Sequence, residues 1–137
     1  MTSIGFERFK TMRQKFFILL FFVSLNALAA TPAELLAGYV AQAGQPANAA
    51  KGETFFKASH GQEWQCTSCH GKSPMVGGKH ASTDKAIEPL APAANAKRFT
   101  DSTKVDKWFR RNCKDVLARE CSAAEKADVL AWLMTLR

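Results

Sequence analysis

The sequence predicts an all-α domain behind a short N-terminal leader, on three observations. Apolar residues recur at helical spacing in four separate segments, and two of these open on capping boxes. No stretch alternates apolar and polar residues as a half-buried strand would, and no internal repeat is present. The chain has 137 residues, room for one small domain.

The first helix starts at Thr31-Pro32-Ala33-Glu34. Thr31 caps it, Pro32 is tolerated in the first turn, and Glu34 stands at the capping-box position. Leu35, Leu36, Tyr39 and Val40 form its apolar stripe, which stops at Gly44, a C-cap residue. A second helix begins at Asn48 and passes Gly52, Phe55 and Phe56 to about Ser59. From Cys66 to Pro92 the chain is rich in Gly, Pro, Ser and Lys and reads as loop with short turns. Asp101 or Ser102 caps a third helix carrying Val105, Trp108 and Phe109. Ser122-Ala123-Ala124-Glu125 opens the last helix, with Ala127, Leu130, Leu133 and Met134 on one side.

The leader is residues 1–29. Its basic stretch, Arg8 to Lys15, precedes the apolar run Phe16 to Val23, and Ala27-Leu28-Ala29 supplies the small residues that signal peptidase requires. A retained anchor is the alternative, but the run is about half the roughly 20 residues a spanning helix needs. Cleavage after Ala29 leaves residues 30–137 as a soluble domain outside the cytoplasm, with a membrane reached only through a redox partner. The net charge is +7, and part of that excess belongs to the leader. What remains is a mild positive balance without a basic cluster interleaved with stacking aromatics, so nucleic acid is not a partner. It suits an acidic docking face, as an effect on association rate.

Cys66-Thr67-Ser68-Cys69-His70 is the C-x-x-C-H pattern of covalent haem attachment. Two thiols three residues apart reach the two vinyl groups on one porphyrin edge, and the adjacent histidine falls beneath the iron as an axial ligand. A zinc site would need a second ligand pair at matching spacing, and Cys113 and Cys121 do not provide it. A thioredoxin-like pair would need an α/β pattern that is absent. A core this small is marginal alone, and one covalently bound haem c would supply the missing apolar mass. Trp64, Trp108 and Trp132 are candidates to enclose it.

The second axial ligand is left open by the residues themselves. Met75 follows His70 by five positions, too close to round the haem edge, and Met134 sits in an amphipathic helix as core filler. His60 and His80 lie in polar stretches near the motif, with His80 the stronger. Asn112 reads as an ordinary helix-terminal asparagine.

Gly52 and Phe56, with Leu130, Trp132 and Leu133, resemble the class I cytochrome c layout, in which terminal helices cross over a glycine. The C-terminal half is more specific. Ile87 to Pro92, Arg98 to Ser102, Val105 to Trp108, Arg111-Asn112-Cys113, Cys121 and Glu125 to Leu133 resemble the SHP-type cytochromes c (sphaeroides haem protein). The resemblance also takes in Leu35 to Tyr39 and so spans the mature chain. It implies a small class I cytochrome c-like fold around one haem, with His70 proximal and Asn112, at the end of the third helix, as distal ligand. It also implies a Cys113–Cys121 disulfide, which an exported chain permits.

The resemblance further implies a periplasmic protein whose weak amide ligand lets go on reduction, so that it binds O2 or NO, with electrons from a dihaem cytochrome c or a membrane b-type cytochrome. Lys72, Lys79, Lys85 and Lys97 are candidates to dock that donor. An ordinary low-spin electron carrier using His80 or Met75 is the alternative. An enzyme such as a peroxidase ranks last, because only His80, Arg110 or Arg111 offers distal acid–base chemistry.

Overall fold

A computed structural model describes residues 30–137, so the leader lies outside the described residues. Its elements are α1 Pro32–Ala43, α2 Ala49–Lys57, α3 Cys66–His70, β1 Gly78–Lys79, β2 Ala86–Ile87, α4 Ser102–Leu117 and α5 Ala123–Thr135. Among the described residues no helix is long and apolar enough to cross a membrane.

The expected helix starts are in place. Thr31 Oγ1 accepts from the Glu34 amide at 3.2 Å while the Thr31 amide donates to Glu34 Oε2 at 2.7 Å. Ser122 and Glu125 make the same reciprocal pair at the head of α5. Of the two residues offered for α4, Asp101 is the cap, accepting from the Lys104 amide at 2.9 Å. Gly44 ends α1 with φ at +65°, a left-handed conformation that glycine adopts without penalty. Helix α2 stops at Lys57, two residues earlier than the sequence suggests.

Helix α5 is the spine. α1 and α2 pack on it, and the core is Leu35, Tyr39, Phe56, Phe99, Ala127, Val129, Leu130, Trp132 and Leu133. Leu130 and Leu133 are fully buried. The α2–α5 crossing is set by Gly52, where a Cβ would overlap the Asp128 carbonyl and stand 2.7 Å from the Val129 amide nitrogen. The Asn48 amide donates to Asp128 Oδ1 at 2.6 Å and holds the start of α2 to the same turn. Phe99 reaches the core from a left-handed backbone, φ +60°, uncommon for an aromatic residue.

Two expectations are corrected. The 66–92 segment is not all loop: Cys66–His70 is one helical turn, and β1 pairs antiparallel with β2, Gly78 opposite Ile87. The pair is only two residues long, too short to produce alternation in the sequence. Helix α4 runs five residues past Asn112, which is therefore interior to the helix rather than at its end. Val105 and Phe109 pack against the core, while Trp108 is 45% exposed.

Candidate haem site

Helix α3 presents Cys66, Cys69 and His70 from a single turn that starts after Gln65 and ends at Gly71. Both thiols are free and half-buried. Burial pushes the Cys66 thiol up to about 11, so it is protonated at neutral pH. His70 is turned inward, its ring 6.1 Å from that of Phe56, which in turn lies 5.1 Å from Trp132. Burial first, and the Arg98 charge second, push its pKa down to about 4. The imidazole is thus neutral, the form that ligates a metal. Its Nδ1 is buried without a hydrogen-bond partner.

The hairpin closes on this helix from the C-terminal side. A Cβ at Gly78 would overlap the Cys69 carbonyl, so only glycine lets β1 lie so close. The Ala81 amide donates to Cys69 Sγ at 3.3 Å. Arg98 braces the next stretch by donating to the carbonyls of Pro89 and Glu88 at 2.9 and 2.8 Å. In the sequence, the Gly77-Gly78 pair is the one signal of these supports.

Of the alternatives for a second ligand, His60 and Met134 are otherwise engaged, while His80 keeps one ring nitrogen free. His60 Nε2 donates to the Phe55 carbonyl at 2.9 Å and its ring stacks at 4.6 Å on Phe55. His80 Nδ1 is hydrogen-bonded to Ser82 Oγ at 3.2 Å, on the hairpin that packs against His70's own helix. Met134 is packed against the core.

Asn112 is different. It is half-buried, and among the described residues its side chain has no hydrogen-bond partner. The next residue, Cys113, is buried and bridged to Cys121, with Cα atoms 5.5 Å apart. That bond ties the third turn of α4 to the head of α5, across a turn in which Ala118 is left-handed. An interior asparagine cannot serve as a helix cap, so the ordinary reading of Asn112 lapses.

These residues fit a haem. The pair of free thiols and the neutral, partnerless His70 occupy one turn. Helix α4 is amphipathic and meets the core through Val105 and Phe109 near its start. Trp108 and Val76, 45% and 58% exposed, are the large apolar side chains left uncovered among the described residues. A flat apolar group held by α3 and covered by α4 would account for each of these features. Among the described residues no cluster of three or more His, Cys, Asp or Glu side chains is arranged to hold a metal ion alone.

Comparison with known proteins agrees. Residues 42–133 match a family described as a domain of unknown function, DUF1924. The chain is 47% identical over 107 residues to the cytochrome c-type protein SHP of Cereibacter sphaeroides, covering 75% of this chain and 82% of that one. The structure of oxidized SHP, described as an oxygen-binding cytochrome c, superposes with a TM-score of 0.75 at 46% identity, covering 79% of this chain and 99% of SHP. The solution structure of cytochrome c'' from Methylophilus methylotrophus, studied for haem-ligand detachment, gives 0.67 at 35% identity, covering 77% and 93%.

Proposed function

The chain belongs to the SHP-type cytochromes c, and we propose that it is an exported monohaem member whose Asn112 releases on reduction to admit O2 or NO. Cys66 and Cys69 form the two thioether bonds and His70 is the proximal ligand. When bound, the haem supplies an iron that changes between ferric and ferrous and accepts a ligand on each face. Asn112 presents an uncharged amide oxygen, a hard and weak donor that holds ferric iron better than ferrous. Asn112 would hold the oxidised iron and let go of the reduced one, and the position it leaves would take a neutral diatomic molecule.

The observation that carries this reading is Asn112 itself, an unpartnered amide inside α4, one residue from the Cys113–Cys121 bridge. The bridge limits how far the amide travels when released. Residues 1–29 direct the chain to the periplasm, where the bridge persists. Electrons come from a dihaem cytochrome c or a membrane b-type cytochrome. Lys72, Lys79, Lys85 and Lys97, all exposed, favour an acidic donor face.

A ferrous absorption spectrum with and without carbon monoxide tests the proposal. A high-spin, five-coordinate ferrous protein that binds carbon monoxide rapidly is expected. A low-spin ferrous spectrum unchanged by carbon monoxide would make the protein an ordinary electron carrier.

A further inference from the structure

Helix α4 meets the core through Val105 and Phe109, and two polar or covalent anchors add to that packing in setting where Asn112 points. One anchor is covalent, at Cys113. The other is a polar cluster two turns earlier that joins three helices. Asp106 Oδ1 accepts from the Tyr39 hydroxyl of α1 at 2.8 Å and from Lys126 Nζ of α5 at 3.1 Å. The Lys126 ammonium lies 5.2 Å from the centre of the Tyr39 ring and 5.9 Å from that of Phe109. Tyr39 and Phe109 meet edge to face at 5.9 Å.

This is more than a surface ion pair, which would contribute little. Tyr39 is 3% exposed, so its hydroxyl needs the partner that Asp106 provides. The Lys126 side chain is only 17% exposed, its ammonium covered by the two rings. Burial would raise the Asp106 carboxyl, but the Tyr39 hydroxyl and the Lys126 ammonium, with Arg110 behind them, outweigh it and hold it below its ordinary value.

We propose that Asp106 is a positioning residue for Asn112: shared by Tyr39 and Lys126, it fixes the rotation of α4 about its own axis. The inference rests on Asn112 being the distal ligand. Along α4, Val105, Phe109, Cys113 and Val116 form the inward stripe. Asp106 and Asn112, six positions apart, project roughly 120° from one another, on opposite flanks of that stripe. Drawing one flank toward α1 and α5 therefore turns the other flank by the same angle. A roll of about 20° would carry a side-chain atom about 6 Å from the axis through about 2 Å. Metal–ligand distances tolerate roughly 0.2 Å. The disulfide at Cys113, also off the axis, resists the roll at one level of the helix, and Asp106 holds it two turns earlier.

The test is the rate at which cyanide enters the ferric holoprotein, which requires Asn112 to move aside. Asp106→Asn and Tyr39→Phe should each raise that rate roughly tenfold, the effect of losing one charge-assisted hydrogen bond. Helix content and haem loading should stay unchanged, and Asp106→Glu should restore much of the original rate. In an Asn112→Ala background neither substitution should add anything. A rate within twofold of the parent in both single variants overturns the inference, as does an equal rise in the Asn112→Ala background. If Asn112→Ala itself leaves the ferric spectrum unchanged, the distal-ligand reading fails, and this inference with it. Tyr39→Phe removes one hydroxyl and keeps the ring, so it decides the matter even if Asp106→Asn does not fold.

Discussion

The backbone of Gly52 in α2 rests directly on the carbonyl of Asp128 in α5, with no room for a side chain between them. Substitution with alanine must drive the two helices apart, and with them Phe56 from Trp132 and from His70. Gly52→Ala should destabilise the holoprotein by about 3 kcal/mol, the upper range for forced overpacking. Thermal unfolding followed at the haem band checks this, and an unchanged midpoint would contradict the crossing.

Asn112→Met offers a softer ligand that holds ferrous as well as ferric iron. The reduced variant should turn low-spin and bind carbon monoxide far more slowly than the parent. Asn112→Ala should instead leave the ferric protein high-spin, as seen in its visible and electron paramagnetic resonance spectra. If neither substitution alters the ferric spectrum, Asn112 is not at the iron.

Cys113–Cys121 spans eight positions, and closing so short a loop is worth about 2.5 kcal/mol by chain entropy. Paired replacement by serine should lower the urea midpoint accordingly. It should also raise the high-spin ferric fraction, because the backbone beside Asn112 is released. Peptide mapping of the parent should recover the two cysteines in one bridged species.

Glu125 gives the pH dependence. Its carboxylate takes two hydrogen bonds from Arg119, at 2.7 and 2.8 Å, and one from the Ser122 amide at 2.8 Å. Arg119 chiefly, opposed by burial and helped by the Ser122 cap, holds the carboxyl below its ordinary value. A depressed carboxyl stabilises the fold above the unfolded-state value, and that stability is lost as pH falls through the folded-state value. Arg119 is 54% exposed, so solvent screens the pair. Glu125→Gln keeps the capping-box acceptor and loses the charge, so it should cost no more than about 1 kcal/mol at pH 7. It should also flatten the acid limb of stability against pH, measured by urea titration.

The helices were legible because their signals are local. Thr31 and Glu34, or Ser122 and Glu125, find each other within one turn whatever the rest of the chain does. Gly52 could be singled out as a crossing glycine, but not its partner Asp128, which lies far along the sequence. The β1–β2 pair was missed because two residues per strand leave no period to read. The end of α4 is hard to place because Asn112 reads as a helix terminus, although Cys113 and Val116 continue the apolar spacing beyond it. His60 cannot be told from a ligand in the sequence, because its hydrogen bond to the Phe55 carbonyl depends on how α2 ends.

The sequence by itself determined the attachment motif Cys66 to His70 and the capped helices, since each depends on residues within a few positions of one another. Resemblance to a family, not spacing, pointed to Asn112. The tertiary structure alone decided that this amide lies inside a helix without a partner, beside a bridge to α5. It also decided that the helix is held to α1 by Tyr39 and Asp106, 67 positions apart. Such pairs form only when the chain has closed on itself, and burial rather than spacing selects them.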